Sequence, residues 1–115
     1  MAVHPIIDQR EIVDDLLIKE VAERIVNSFH PNRIILFGSQ ARGDARPDSD
    51  IDLMVEMETD LDFYSRIPPI TEIFGFRKWG MDLIVYTPEE VAKNRDVNGT
   101  LIEMVKREGK VLYER

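Results

Sequence analysis

Two aspartates separated by one residue stand where a strand is expected to begin. Asp50-Ile51-Asp52 opens an apolar run that ends at Glu56. Successive side chains of a strand point to opposite faces, so Asp50 and Asp52 are expected on one face. Like charges on one face repel each other and disfavour the strand. A divalent cation would remove that cost, because hard cations bind carboxylate oxygens. The spacing therefore indicates a candidate metal site.

A glycine–serine pair stands ten residues before this acidic pair. The β-branched and apolar residues of the stretch 33–37 predict a buried strand, and Gly38-Ser39 then predicts a tight turn into a short helix that ends at Gly43. Backbone N–H groups of such a turn, and of a helix N-terminus, can face an anion. The segment therefore suits phosphate, and the nearby carboxylates suit the metal ion that accompanies a triphosphate.

A third acid, Asp82, stands in the predicted strand 81–86. Each residue of the pattern also has a purely structural explanation. Ser39 could serve only as a helix cap, Asp50 and Asp52 could be exposed carboxylates that protect a sheet edge, and Asp82 could be a surface residue. The combination favours function, because all three acids stand at the beginnings of strands otherwise made of apolar residues.

The elements that must position these residues follow from hydrophobic periodicity and turn signals. The predicted order is α-β-α-β-α-β-α-α-β, which indicates an α/β (α+β) domain with a small mixed central sheet and flanking helices. At 115 residues the chain is predicted to form one domain, 1–115. After a loose lead-in (Met1 to Asp8), the elements expected beyond residues 33–43 are an amphipathic helix from about Gln9 to Phe29, a strand at Asp50 to Glu56, a helix within Leu61 to Arg77 that is kinked or restarts at Pro68-Pro69, a strand at Met81 to Tyr86, a helix starting at Thr87-Pro88, a helix at Thr100 to Arg107 and a last strand at Lys110 to Glu114.

Composition narrows the classes of function. The formal net charge of −7 argues against direct nucleic-acid binding, which needs clustered Lys and Arg. No apolar stretch approaches the ~20 residues of a membrane span. The absence of cysteine excludes disulfides and thiolate metal sites. No basic-then-apolar signal pattern opens the chain, so a cytoplasmic location is expected.

The spacing resembles a known signature. Gly38-Ser39, ten residues, then Asp50-Ile51-Asp52 is similar to the GSX10DXD motif of minimal nucleotidyltransferases in the DNA polymerase beta superfamily. Arg42-Gly43 and the third acid, Asp82, also fit that group. The resemblance covers the whole chain and implies the polymerase-beta-type nucleotidyltransferase fold.

The resemblance also implies roles for individual residues. Gly38 and Ser39 match the turn that binds the β- and γ-phosphates of a nucleotide. Asp50 and Asp52 match carboxylates that hold two Mg²⁺ ions. Asp82 matches the acid that holds one metal ion and helps to activate the attacking hydroxyl, as in two-metal displacements at phosphorus.

Arg42 has two readings that the sequence leaves open. As a nucleotide-binding candidate it would neutralise triphosphate charge. Alternatively it pairs with Asp44 or Asp48 in a surface loop.

The resemblance finally implies a partner. Similar stand-alone nucleotidyltransferases act as antitoxins that transfer AMP from ATP to a tyrosine of a HEPN-domain toxin. No segment remains for a substrate domain, so the acceptor is expected from a partner or from a second copy of the chain. The expected contact surface is the apolar stretch around Phe63 to Phe76, with Trp79. Trp79 is alternatively predicted to be a packing anchor of the core. Two alternatives remain: neutralisation of a partner by binding alone, and nucleotidyl transfer to a small molecule.

Overall fold

A mixed four-stranded sheet lies between helices in the computed structural model, which describes residues 7–115. The strands are β1 (Ile7–Asp8), β2 (Arg33–Phe37), β3 (Ile51–Glu56), β4 (Phe76–Arg77), β5 (Met81–Tyr86) and β6 (Lys110–Glu114). The α-helices are α1 (Asp15–Phe29), α2 (Ser39–Arg42), α3 (Pro68–Thr71), α4 (Pro88–Asn94) and α5 (Leu101–Glu108). The sheet order is β5-β3-β2-β6, with β3 and β5 parallel and the other neighbours antiparallel. The predicted fold class is confirmed.

Hydrophobic residues are buried on both faces of this sheet. The larger cluster joins α1 to alternate residues of β2, β3 and β5, including Ile34, Leu53 and Val85. The second cluster joins the opposite face, at Ile35 and Met54, to helices α4 and α5. The alternation of side chains along each strand places the two sets on opposite faces.

Helix α1 begins later than the predicted Gln9. Asp14 is the N-cap residue, and its Oδ1 accepts a hydrogen bond of 2.8 Å from the backbone N–H of Leu17. Because this cap sets where the helix begins, Ile12 lies before the helix, with an exposed fraction of 62%, and Leu16 faces solvent at 72%. Leu17, and not its neighbour Leu16, therefore lies in the core.

The crossover between β3 and β5 restarts at the prolines, which is one of the two forms predicted for Leu61 to Arg77, and the other form, a kinked helix, is wrong. It contains a 3-10 helix (Phe63–Arg66), helix α3, a second 3-10 helix (Glu72–Phe74) and strand β4. Pro68 stands at the first position of α3. A proline there lacks the N–H that would extend the preceding turn, so the chain starts a new helix instead of bending one.

A short N-terminal strand ties the beginning of the chain to the end of this crossover. β1 pairs in parallel with β4, and the Trp79 Nε1–H donates to Oδ2 of Asp8 at 2.9 Å. The hydrogen-bonded Arg10 guanidinium holds the pKa of Asp8 well below its usual range. Trp79 is only 4% exposed. The expectation that Trp79 contacts a partner is therefore wrong, because its ring is part of the core.

The rest of the predicted lead-in, residues 1–6, lies outside the described residues. Within residues 7–115 the helices are all too short or too polar to cross a bilayer.

Candidate active site

Strand register brings two of the three predicted acids together. Asp52 of β3 and Asp82 of β5 are direct partners across the parallel pair. On its other side, Asp52 is paired with Phe37, the last residue of β2. Asp82 is exposed and Asp52 is half-buried. The site lies at the ends where β3 and β5 begin.

The electrostatics of the site centre on the carboxylate of Asp52. Burial raises the pKa of Asp52 from its ordinary value of 3.8 to about 6, and the charge of Asp82 contributes to the rise. The charge of Asp50 acts in the same direction, and the charge of Arg42 opposes the shift. Adjacent carboxylates share protons or bind a cation when ionising all of them together costs free energy.

The turn after β2 brings the backbone against Asp52. Gly38 is the N-cap residue of α2, with φ of 72° and ψ of −156°. A Cβ atom at this position would overlap Oδ2 of Asp52 and lie 3.1 Å from its Cγ. Only glycine meets both demands, since its backbone reaches this region without strain and it carries no Cβ.

The short helix that follows has the predicted bounds. α2 begins at Ser39 and is closed by Gly43 in the left-handed conformation, whose N–H donates to the Ser39 carbonyl. The N-cap is Gly38, without a side-chain cap, so the alternative that Ser39 serves as the capping residue is wrong. Four residues carry little macrodipole, so any phosphate affinity here comes from the N–H groups of the turn and the Ser39 hydroxyl.

Asp50 reaches the site from just before β3. Its carboxylate lies against Gly80, where a Cβ atom would overlap Oδ1 of Asp50 and lie 2.6 Å from its Cγ. The Ile51 N–H donates to the Gly80 carbonyl at 3.0 Å, which holds the two segments together. The side chain of Gln40 donates to the Ser49 carbonyl at 3.1 Å and so links α2 to the residue before Asp50.

Sequence reasoning missed Gly80 and Gln40. Gly80 stands two residues before Asp82, but only the β3–β5 register shows that it faces Asp50. Gln40 occupies a variable position within the glycine–serine motif, and its hydrogen bond joins residues nine positions apart. Neither residue type signals such a role by itself.

The structure shows the surface pairing of Arg42 with Asp44, and its role in nucleotide binding stays a prediction. Its Nε donates to Oδ2 of Asp44 at 3.3 Å, on an exposed surface. The same guanidinium lowers the pKa of Asp52 through space. An exposed ion pair of this kind contributes little to stability, so Arg42 can exchange Asp44 for another anion at small cost.

The carboxylates of this site fit a divalent metal in chemical type but are not arranged as a complete set of ligands. Among residues 7–115, no group of three or more Asp, Glu or His side chains is arranged as a ready-made metal site. Two carboxylates on adjacent strands, with a third that raises the pKa of Asp52, nevertheless supply the hard oxygen ligands that Mg²⁺ takes. The fit is therefore one of ligand chemistry.

A cavity of about 570 Å³ elsewhere in the molecule does not contain this site. It lies between α1, β2 and β6, and its walls include Ile18, Val26, Leu36 and Leu112. Its charged residues belong to the rim, and none of the three acids lines it. We place the candidate site at the acids because convergent groups with a raised pKa indicate chemistry better than volume does.

The raised pKa predicts how stability depends on pH when no metal is present. The folded state keeps the Asp52 proton up to about pH 6, whereas the unfolded chain releases it near 3.8. The free energy of unfolding should therefore fall as pH rises from about 4 to about 6. Asp52→Asn removes this loss and should stabilise the protein by about 1–2 kcal/mol at pH 7.5, after a discount for partial exposure.

Urea unfolding in EDTA at several pH values would measure this difference. Asp60→Asn, at an exposed carboxylate after β3, is the control and should leave the parent profile unchanged. An Asp52→Asn protein that is less stable than the parent at pH 7.5 would contradict a pKa of Asp52 that is raised by burial and by neighbouring negative charges.

Comparison with known proteins agrees with this geometry. The model of the nucleotidyltransferase domain family matches residues 16–114. A relative from Methanocaldococcus jannaschii is 31% identical over 102 residues, which is 87% of this chain and 98% of the relative. Its name describes it as a proposed protein adenylyltransferase. The chain therefore belongs to the nucleotidyltransferase domain family, and it is a transferase enzyme. The resemblance noted from the sequence is confirmed.

Solved structures show the same fold. A Sulfolobus solfataricus protein, itself proposed to be a nucleotidyltransferase, superposes with a TM-score of 0.61 at 25% identity, covering 87% of this chain and 79% of that one. A toxin–antitoxin structure with AMP-PNP gives a TM-score of 0.55 at 22% identity, covering 84% and 73%. At that identity the second likeness concerns the fold alone.

Proposed function

We propose that this nucleotidyltransferase uses Mg²⁺ to transfer AMP from ATP to a tyrosine hydroxyl of a partner protein, a HEPN-domain toxin, and is thereby an antitoxin. The observation that carries the proposal is the register of Asp52 with Asp82 beside the Gly38 turn. A pair of carboxylates is suited to the metal ion of a metal-bound triphosphate, and the backbone N–H groups of the adjacent turn are suited to its phosphates.

Three carboxylates would hold the metal in this proposal. Asp50, Asp52 and Asp82 would be the ligands of two Mg²⁺ ions, as the family resemblance implies. When bound, such ions stabilise the charge that develops on the attacking and leaving oxygens of an in-line displacement. Support comes from the raised pKa of Asp52, since a carboxylate that resists ionisation beside other acids gains from added positive charge.

Gly38, Ser39 and Arg42 would bind the phosphates. The backbone at Gly38 passes directly against Asp52, so a phosphate on this turn would lie next to the carboxylates. The Ser39 hydroxyl can donate to a phosphate oxygen. Arg42, held only by an exposed pair with Asp44, would neutralise part of the charge.

A protein acceptor is supported by the kind of site and by the relatives. Asp82 is exposed, so a side chain from another molecule can reach it, and its carboxylate would take the proton of the attacking hydroxyl. The related protein of M. jannaschii is named for protein adenylylation, and a structural neighbour was solved as a toxin–antitoxin with AMP-PNP. Neutralisation by binding alone is disfavoured, because a pure binder gains nothing from carboxylates that repel one another.

The test combines a reaction with a structure. The protein would be incubated with ATP, Mg²⁺ and a HEPN-domain protein as the candidate partner, and mass spectrometry would then look for AMP added to a tyrosine. Crystals with Mn²⁺ and a non-hydrolysable ATP analogue should show metal about 2.0–2.3 Å from the carboxylates. A partner that binds but never gains AMP would indicate a binding antitoxin, and metal found only elsewhere would overturn the site.

A further inference from the structure

Asp50 is the least firmly placed of the three acids. Asp52 and Asp82 lie within paired strands, where the ladder of backbone hydrogen bonds fixes the direction of each side chain. Asp50 stands one residue before β3, so no strand partner sets its side chain. Its position must therefore come from contacts outside the ladder.

The backbone of this segment is held from two sides. The Ile51 N–H donates to the Gly80 carbonyl, and the Gln40 side chain donates to the Ser49 carbonyl. These bonds flank Asp50 on both sides in the chain. The backbone at Asp50 consequently cannot move away from Gly80 without breaking one of them.

The side chain of Asp50 occupies the space that a Cβ atom would need at Gly80. Oδ1 and Cγ of Asp50 would lie 2.0 and 2.6 Å from that Cβ, closer than non-bonded atoms approach, and Oδ2 would lie 3.1 Å from it. Gly80 is not among the glycines with positive φ, so its backbone is open to any L-residue. Conformational freedom therefore does not explain this glycine, and the room that it leaves for Asp50 does.

From these contacts we infer that Gly80 is a positioning residue for Asp50: the missing Cβ lets the carboxylate lie over the start of β5, on the side of Asp82. A methyl group at position 80 would turn the carboxylate away. Because the displaced atoms are the end of an exposed side chain, the change costs little stability. The consequence for metal binding rests on the proposed function, whereas the placement of Asp50 does not.

The first experiment needs no metal. Crystal structures of the parent and of Gly80→Ala, both in EDTA, would compare the Asp50 side chain. We expect the carboxylate to be rotated away from residue 80 in the variant, with β3 and β5 unchanged. An unmoved carboxylate, accommodated by a shift of the backbone at residue 80, would overturn the inference.

The second experiment measures Mn²⁺ binding in the presence of a non-hydrolysable ATP analogue by calorimetry. Gly80→Ala should weaken Mn²⁺ binding by about 10–100-fold, the range found when a neighbour that orients a metal ligand is changed. In an Asp50→Ala background, Gly80→Ala should cause no further loss, because the clashing carboxylate is gone. Equal affinity of parent and variant, or additive losses in the double variant, would overturn the inference.

Gly109→Ala is the matched control. A Cβ there would lie 2.5 Å from the Val105 carbonyl and 2.5 Å from Cγ2 of Ile35, in the core and away from the acids. This variant should lose thermal stability and keep its Mn²⁺ affinity, the reverse of Gly80→Ala. A parent protein that binds no Mn²⁺ would overturn the proposed cofactor, and the rotation of Asp50 in the crystal structures would still decide the placement.

Discussion

Asp82→Asn is expected to reduce AMP transfer by about 10²–10⁴-fold, the contribution of a positioned base, while partner binding persists. Asparagine keeps the shape of the side chain and removes the charge that would take the proton of the acceptor hydroxyl. The exposed position of Asp82 means that the substitution should not disturb the core. The change removes one negative charge beside Asp52, so the variant should be at least as stable as the parent without metal.

Mass spectrometry of the partner after a timed incubation with ATP and Mg²⁺ would report the rate, and co-purification would report binding. Asp96→Asn, at an exposed carboxylate between α4 and α5, is the matched control and should transfer AMP at the parent rate. If Asp82→Asn modifies its partner as fast as the parent, Asp82 does not belong to the site.

Gly38→Ala is expected to weaken the binding of the ATP analogue by at least about tenfold, because two effects act together. The residue must adopt a φ of 72°, which L-residues rarely do, and its methyl group would overlap the carboxylate of Asp52. Backbone strain of this kind costs about 1–3 kcal/mol, which lowers the melting temperature without preventing folding. The displaced carboxylate then weakens binding of the metal-bound nucleotide.

Gly99→Ala separates these two effects. Gly99 has a φ of +88°, and a Cβ at that position would meet nothing within 4 Å. It should therefore show a similar loss of stability and bind nucleotide as the parent does. If both variants bind the ATP analogue equally well, the turn at Gly38 does not hold the phosphates.

The sequence predicted a partner contact surface around Phe63 to Phe76 with Trp79, and the structure leaves only part of this stretch exposed. Leu61, Tyr64 and Phe76 have exposed fractions of 47%, 79% and 63%, whereas Phe74 and Trp79 are buried at 4%. Apolar residues in an amphipathic segment look alike in sequence whether they face the core or a partner. Only the packing of the crossover against α1 separates them.

The sequence by itself determined the strands and the candidate acids. Strands 33–37, 81–86 and 110–114 have the predicted bounds, because short apolar runs between turn residues have few other ways to bury their side chains. The start of the helix after Thr87 was also predictable, since threonine, proline and glutamate form a capping box from local contacts alone. The spacing of Gly38-Ser39 from Asp50-Ile51-Asp52, with Asp82 as a third acid, is specific enough to indicate the family.

Only the tertiary structure decided which groups meet. The pairing of Asp52 with Asp82 depends on register between strands separated by a crossover of more than twenty residues, and local sequence does not encode that register. The raised pKa of Asp52 and the contact of Asp50 with Gly80 arise from burial and close approach, which exist only once the sheet has formed.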